Sequence, residues 1–238
     1  MHPAGGSRRV FRQFAWLGAG SGKMTLSRPT HQRVTQTVWQ IVGGNIMSEI
    51  PVFAISPKYT TRDFPNGMTL DDKIVVFADR IDGWQIGIAK KIIQHEIQHS
   101  GFALMHIVFS YFEMLGKYLS GYKGDNDSKV NFKKGVKATF PEIGSEEEIF
   151  LNTLYRSVRS GLYHLGMTKI NVMLRCDIPG SIGFNAERKL LIICPDHLVM
   201  GLDLRFHHYI AELGNPENAQ LRKNFETRFD YDNSEASL

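Results

Sequence analysis

The chain has 238 residues, 42% hydrophobic and 22% charged. That is an ordinary globular balance, with enough apolar material for a sizeable core and no bias toward a disordered or fibrous class. Residues 1–46 carry Arg8, Arg9, Arg12, Lys23, Arg28 and Arg33 and no acid, so the net charge of +4 belongs to this leader. The remainder is slightly acidic, which removes any bulk electrostatic case for nucleic acid, and no apolar run reaches the length of a membrane span.

The acid-free, Arg-rich leader admits three readings: an organelle transit peptide, a disordered tail, or translated upstream sequence with the working start at Met47. The last two are favoured. "GAGSGKM", Gly18–Met24, fails as a phosphate loop, because Leu17 stands where the first glycine belongs and Met24 where Ser or Thr belongs.

Residues 47–82 read as an N-terminal segment in which "KIVVFADRI", Lys73–Ile81, is a short strand and Asp82-Gly83 a turn or N-cap. From Trp84 the pattern becomes helical. Ile86, Ala89, Ile93 and Ile97 recur three and four apart, and Phe102, Met105, Phe109, Phe112 and Leu119 continue an apolar face beyond Gly101. Ser120–Lys129 is a loop by composition. "SKVNFKKGVKATF" is an amphipathic helix closed by Pro141, and its Lys129–Lys137 stretch is a solvated basic face. The next helix starts at Ser145 as N-cap, with three glutamates in its first turn and Ile149, Leu151, Leu154, Tyr155, Val158 and Leu162 on its buried face. "KINVMLRC" alternates like a strand, and "GSIGFNAERKLLIIC" reads as a hairpin turning near Asn185-Ala186. A helix from Pro195 to Gly214 and a polar helix over Glu217–Phe229 follow, then a tail at 230–238. The fold class is mainly α, a helical bundle occupying 83–229 with a β insertion at 169–194.

Three features bear on chemistry. Cys176 and Cys194 have neither C-x-x-C nor zinc-ribbon spacing, so they read as structural thiols or as cysteines of a reducing compartment, and the expected localisation is cytoplasmic. His95-Glu96-x-x-His99 matches H-E-x-x-H, which on a helix sets two imidazoles on one face around zinc with the glutamate as base. Its continuation fails: Gly101 and His106 each miss the expected position by one, and His106 would lie roughly 10 Å from His99 along a straight helix. A zinc hydrolase using His95, Glu96 and His99 is therefore the minor reading, and polar residues on a core helix the major one. Adjacent His207 and His208 point to different faces and are read as structural.

The third feature is Arg159 and His164 in "VRSGLYHLGMT". Five residues apart on a helix, they lie about 140° apart around the axis and can converge on one anion. A guanidinium clamps phosphate, and an imidazole can take the ribose 2′-hydroxyl proton or protonate the leaving oxygen. On spacing alone the plainer alternative, Arg159 paired with an acidic neighbour and His164 at a helix end, is favoured. Tyr155 and Arg156 flank the pair as candidate substrate contacts, and Ser160 and Tyr163 as supports.

"HSGFALMHIVFSYFEML", "FKKGVKATFPE" and "LYRSVRSGLYHLGMT", in that order over about residues 85–170, resemble the HEPN superfamily of small helical-bundle proteins. The resemblance implies a usually dimeric α bundle, often with metal-independent ribonuclease activity in host defence or toxin–antitoxin systems. It places the family's Arg-x4–6-His motif on Arg159 and His164. Ser160 stands where Asn, Asp or His is common in the family. The implied partners are a second copy, an RNA or nucleotide ligand and an antitoxin or defence partner, with no cofactor. A non-catalytic interaction module on the same fold is the alternative.

Overall fold

Thr69 and Asp72 open the first long helix of this computed structural model, which describes residues 41–42, 45–46, 52–141 and 147–234. The Asp72 amide donates to Thr69 Oγ1 at 3.2 Å and the Thr69 amide donates to Asp72 Oδ2 at 2.9 Å, a reciprocal capping box. Helix α1, Leu70–Ile81, follows, with Ile74, Phe77 and Ile81 buried three and four apart. The expected strand at Lys73–Ile81 is thus a helix, and Asp82-Gly83 is no boundary. The chain runs on through a π-helical turn, Asp82–Ile86, into α2, Gly87–Gln94. This helical run crosses residue 82, where the sequence reading ends its N-terminal segment. The leader and the Met47 start lie outside the described residues, apart from the short antiparallel pair β1, Ile41–Val42, and β2, Asn45–Ile46.

The segment before α1 is anchored by Asp79, which is buried and accepts hydrogen bonds from Ser56 Oγ at 2.7 Å and the Lys58 amide at 2.8 Å. Burial alone would raise its pKa, but those donors and the Lys58 ammonium outweigh it and hold the carboxyl below its ordinary value. A folded pKa below the unfolded one contributes stability above the unfolded value, and that stability is lost as pH falls through the folded one. Asp79→Ala should cost about 1–3 kcal/mol at neutral pH by stranding the Ser56 and Lys58 donors. In urea melts the gap between wild type and variant should close below about pH 4.

Helix α3, Gly101–Ser120, is the apolar core helix the sequence predicts, with Leu104, Met105, Val108, Phe109, Tyr111, Phe112 and Leu115 buried. Helix α4, Ser128–Thr139, packs closely against it. Helix α5, Glu147–Leu154, passes through a second π-helical turn, Tyr155–Arg159, into α6, Ser160–Leu165. The expected cap Ser145 lies outside the described residues, and Ile149 is exposed rather than inward. Lys133 and Lys137 of α4 pair with Glu148 and Glu147 of α5, so the basic face is partly neutralised within the fold.

The β insertion comes next. Strands β3, Val172–Leu174, β4, Ile182–Asn185, and β5, Leu190–Ile193, form a sheet in the order β3-β5-β4. The β4–β5 hairpin is antiparallel, pairing Asn185 with Leu190, while β3 runs parallel to β5. Leu191 and Ile193 face the core, and Phe184 meets Phe150 of α5 edge-on. Helix α7, Pro195–Gly214, and α8, Ala219–Ser234, close the bundle against α1 and α3. Helix α8 takes in 230–234, which the sequence reading assigns to a tail. The architecture is mainly α with a small β insertion after the Arg159–His164 helix.

Cys176 and Cys194 are joined as a disulfide with their Cα atoms 4.4 Å apart, which corrects the reading as free thiols. It ties the chain beyond β3 to the N-cap of α7. It closes a loop with a sequence separation of 18, for which chain entropy gives about 3 kcal/mol. Cys176→Ser should lower the thermal midpoint in non-reducing buffer and abolish the response to dithiothreitol. Disulfides belong mostly to oxidising environments, so the pair runs against the reducing compartment expected from cysteine usage.

Candidate functional site

Arg159 ends the π-helical turn that joins α5 to α6. Such a turn bonds each amide five residues back, as the Ser160 amide does to the Tyr155 carbonyl, and it rotates the side chains that follow. Arg159 Nη2 donates to Glu113 Oε2 of α3 at 2.6 Å and lies 3.4 Å from Ser128 Oγ. Ser128, the first residue of α4, donates from Oγ to the other oxygen of Glu113 at 2.6 Å. The guanidinium lies over the Tyr163 ring at 4.4 Å from its centroid and 5.7 Å from that of Tyr155. Three helical elements therefore fix one arginine through a carboxylate, a hydroxyl and a ring face.

Two features qualify this grip. Arg159 Nε is buried and has no hydrogen-bond partner among the described residues. The guanidinium charge is largely compensated by Glu113, and both side chains are only 15% exposed. The spacing-based alternative, an arginine paired with an acid, is the arrangement observed within the chain.

His164 sits in the last turn of α6 with its ring exposed. Among the described residues no hydrogen bond, ion pair or ring contact links it to Arg159. Tyr163 is half-exposed and packs its ring near His106. Burial raises the Tyr163 phenol above its ordinary value against the opposing pull of Arg159 and a hydrogen bond with Ser110. Tyr155 is half-buried and meets Phe132 edge-on, so it is largely a packing residue. Arg156 is exposed, and Ser160 is half-buried.

Sequence reasoning missed Glu113 and Ser128. Glu113 is the one acid in the α3 sequence, a signal in itself, since a lone carboxylate on a core helix needs a partner. Glu113 and Ser110 also line a pocket of about 290 Å³ with Lys117, Tyr118, Arg228 and Asp232. Its two acids and two bases leave it without a dominant sign.

H-E-x-x-H is not helical here. Helix α2 stops at Gln94 with His95 as its C-cap. The Ile97 amide reaches back to the Ile92 carbonyl at 3.2 Å and the Glu96 amide to that of Ile93 at 3.0 Å. That pair of bonds is a Schellman ending, and Glu96, at φ 49°, occupies the left-handed position glycine favours. His99 is left-handed too, at φ 62°. The helix face that would align both imidazoles is absent, and Ile97 is exposed rather than inward. Glu96→Gly should raise stability by about 1 kcal/mol by relieving the left-handed backbone, read as a rise in thermal midpoint.

Among the described residues no helix is long and apolar enough to cross a membrane. Comparison with protein-family models, with curated proteins and with solved structures gave no match.

Proposed function

We propose that this chain is a HEPN-like, metal-independent RNA-binding protein with endoribonuclease chemistry centred on Arg159 and His164, working as a homodimer. The observation that carries the reading is an arginine gripped by Glu113 and ringed by Tyr163 and Tyr155, with Nε unpaired, ahead of an exposed histidine on the same helical run. A phosphate oxygen would compete with Glu113 for the Arg159 guanidinium. The His164 imidazole would take the ribose 2′-hydroxyl proton. The 2′-oxygen would then attack phosphorus and displace the 5′-oxygen, which takes a proton from water, leaving a 2′,3′-cyclic phosphate and a 5′-hydroxyl. Tyr155 and Arg156 would contact the RNA, and Ser160 and Tyr163 would support the arginine.

A second copy supplies the second pair. The residues after His164 favour such a cover: Leu165, Met167 and Ile170 are all exposed, Ile170 completely. The defence or toxin–antitoxin setting rests on the resemblance alone. The second reading, a dimerisation module that cuts nothing, draws on the Glu113 counter-charge.

The test is cleavage of a mixed-sequence RNA by the full chain with and without EDTA. Chelator-resistant cleavage that falls about 10²–10⁴-fold in His164→Ala supports the first reading. RNA that stays intact beside a stable dimer favours the second.

A further inference from the structure

Away from the Arg159 cluster and sharing no residue with it, Asp82, Asp203 and His207 bring two carboxylates and an imidazole together. Their ligating atoms all lie within 4.8 Å of one another. Asp82 opens the first π-helical turn. Asp203 and His207 are four apart on α7 and so share a face. His207 Nε2 lies 3.4 Å from Asp203 Oδ1 and 4.0 Å from Asp82 Oδ1.

Lys90 of α2 already engages the other oxygen of Asp203, Oδ2, at 2.7 Å. That leaves Oδ1 facing the cluster, buried and with no hydrogen bond among the described residues, its imidazole neighbour being His207 Nε2 at 3.4 Å. A buried acceptor without a donor is costly, and a cation is one group that removes the cost while cancelling the repulsion between the two carboxylates. Burial, with Asp203 and Asp79 nearby, pushes the Asp82 carboxyl above its ordinary value despite His207 and Lys90.

We infer that Asp82, Asp203 and His207 form a three-ligand site for a divalent transition ion of the zinc class. Two oxygens and one imidazole nitrogen suit zinc, manganese, cobalt or nickel, whereas calcium takes six to eight oxygens and magnesium keeps most of its waters. Bonds of about 2.1 Å in a tetrahedron set ligand atoms about 3.4 Å apart. The Asp203–His207 spacing already has that value, and Asp82 Oδ1, now 4.0 Å from His207 Nε2, would have to close in. Lys90 holds Oδ2 and so orients the carboxylate, while water completes the coordination. The ion would clamp the π-helical turn after α1 to α7. Sequence reading treats His207 as structural because its neighbour His208 faces elsewhere, yet its partners are residues 82 and 203.

Isothermal titration of the full chain with Zn²⁺ alone tests this. One tight site per chain is expected, with a thermal midpoint that rises in zinc. His207→Ala, an exposed position that leaves the core intact, should weaken that site about tenfold or more, and Asp203→Asn should do the same. The double variant His95→Ala/His99→Ala should bind as wild type does. Zinc binding undiminished in His207→Ala, binding lost in the His95/His99 variant, or no tight site at all would each overturn the inference.

Discussion

Gly116→Ala should destabilise this protein by about 3 kcal/mol or more, on the scale of severe core overpacking. A methyl at Gly116 would sit 1.8 Å from the Asn131 carbonyl oxygen, and one at Gly135 would sit 1.8 Å from that of Phe112. The two glycines thus let α3 and α4 touch backbone to backbone. The obstacle is a main-chain carbonyl, so no side chain can swing aside. The helices cannot part cheaply either, because Phe109, Phe112, Phe132 and Val136 are fully buried in the same contact. At roughly 2–4 °C per kcal/mol for a chain of this size, the thermal midpoint should drop by about 10 °C. Gly135→Ala should do the same. A midpoint within a degree or two of wild type would show that the helices are not in contact at this point. The same crossing carries the Ser128–Glu113 hydrogen bond, so the damage should reach the grip on Arg159.

The second large effect is expected at Arg159 itself. Arg159→Ala leaves a mostly buried Glu113 with the Ser128 hydroxyl and a distant ammonium, Lys117 at 3.9 Å. Losing one partner of such a pair should cost about 2–3 kcal/mol, below the figure for a fully buried pair because some solvent reaches it. Arg159→Lys keeps the charge but loses the fork and the ring contact with Tyr163, so it should recover only part of that. Glu113→Gln separates structure from function. It also lowers stability, since the arginine loses its counter-ion, but it removes the group that competes with phosphate. RNA affinity measured by fluorescence anisotropy should therefore rise in Glu113→Gln and vanish in Arg159→Ala. A purely structural arginine would leave RNA affinity unmoved in both.

Much of the helical frame was legible because its signals are local. The apolar run of α3, the glutamates opening α5, Pro195 at the start of α7 and the turn residues between β4 and β5 each act within a few positions. The failures share a physical reason. "KIVVF" looks like a strand when its β-branched residues are weighed alone, whereas the capping box at Thr69 and Asp72 and the helical burial of Ile74, Phe77 and Ile81 decide for α1. The apolar spacing from Ile86 to Ile97 continues past the point where the helix stops, because the Schellman ending uses Glu96 in place of a glycine that would have announced it. The disulfide, the Glu113–Arg159 pair and the approach of Asp82 to Asp203 and His207 join residues far apart in the chain, and nothing in local spacing encodes such partners. The candidate site was legible as two residues, Arg159 and His164, but the carboxylate that positions the first came only with the fold.

The most direct measurement is the chemistry of the RNA ends after incubation with the full chain in EDTA, resolved by mass spectrometry. A 2′-hydroxyl attack assisted by His164 and Arg159 predicts 2′,3′-cyclic phosphate and 5′-hydroxyl termini, absent in His164→Ala. Fragments ending in 3′-hydroxyl and 5′-phosphate, or cyclic-phosphate ends that persist in His164→Ala, would contradict it.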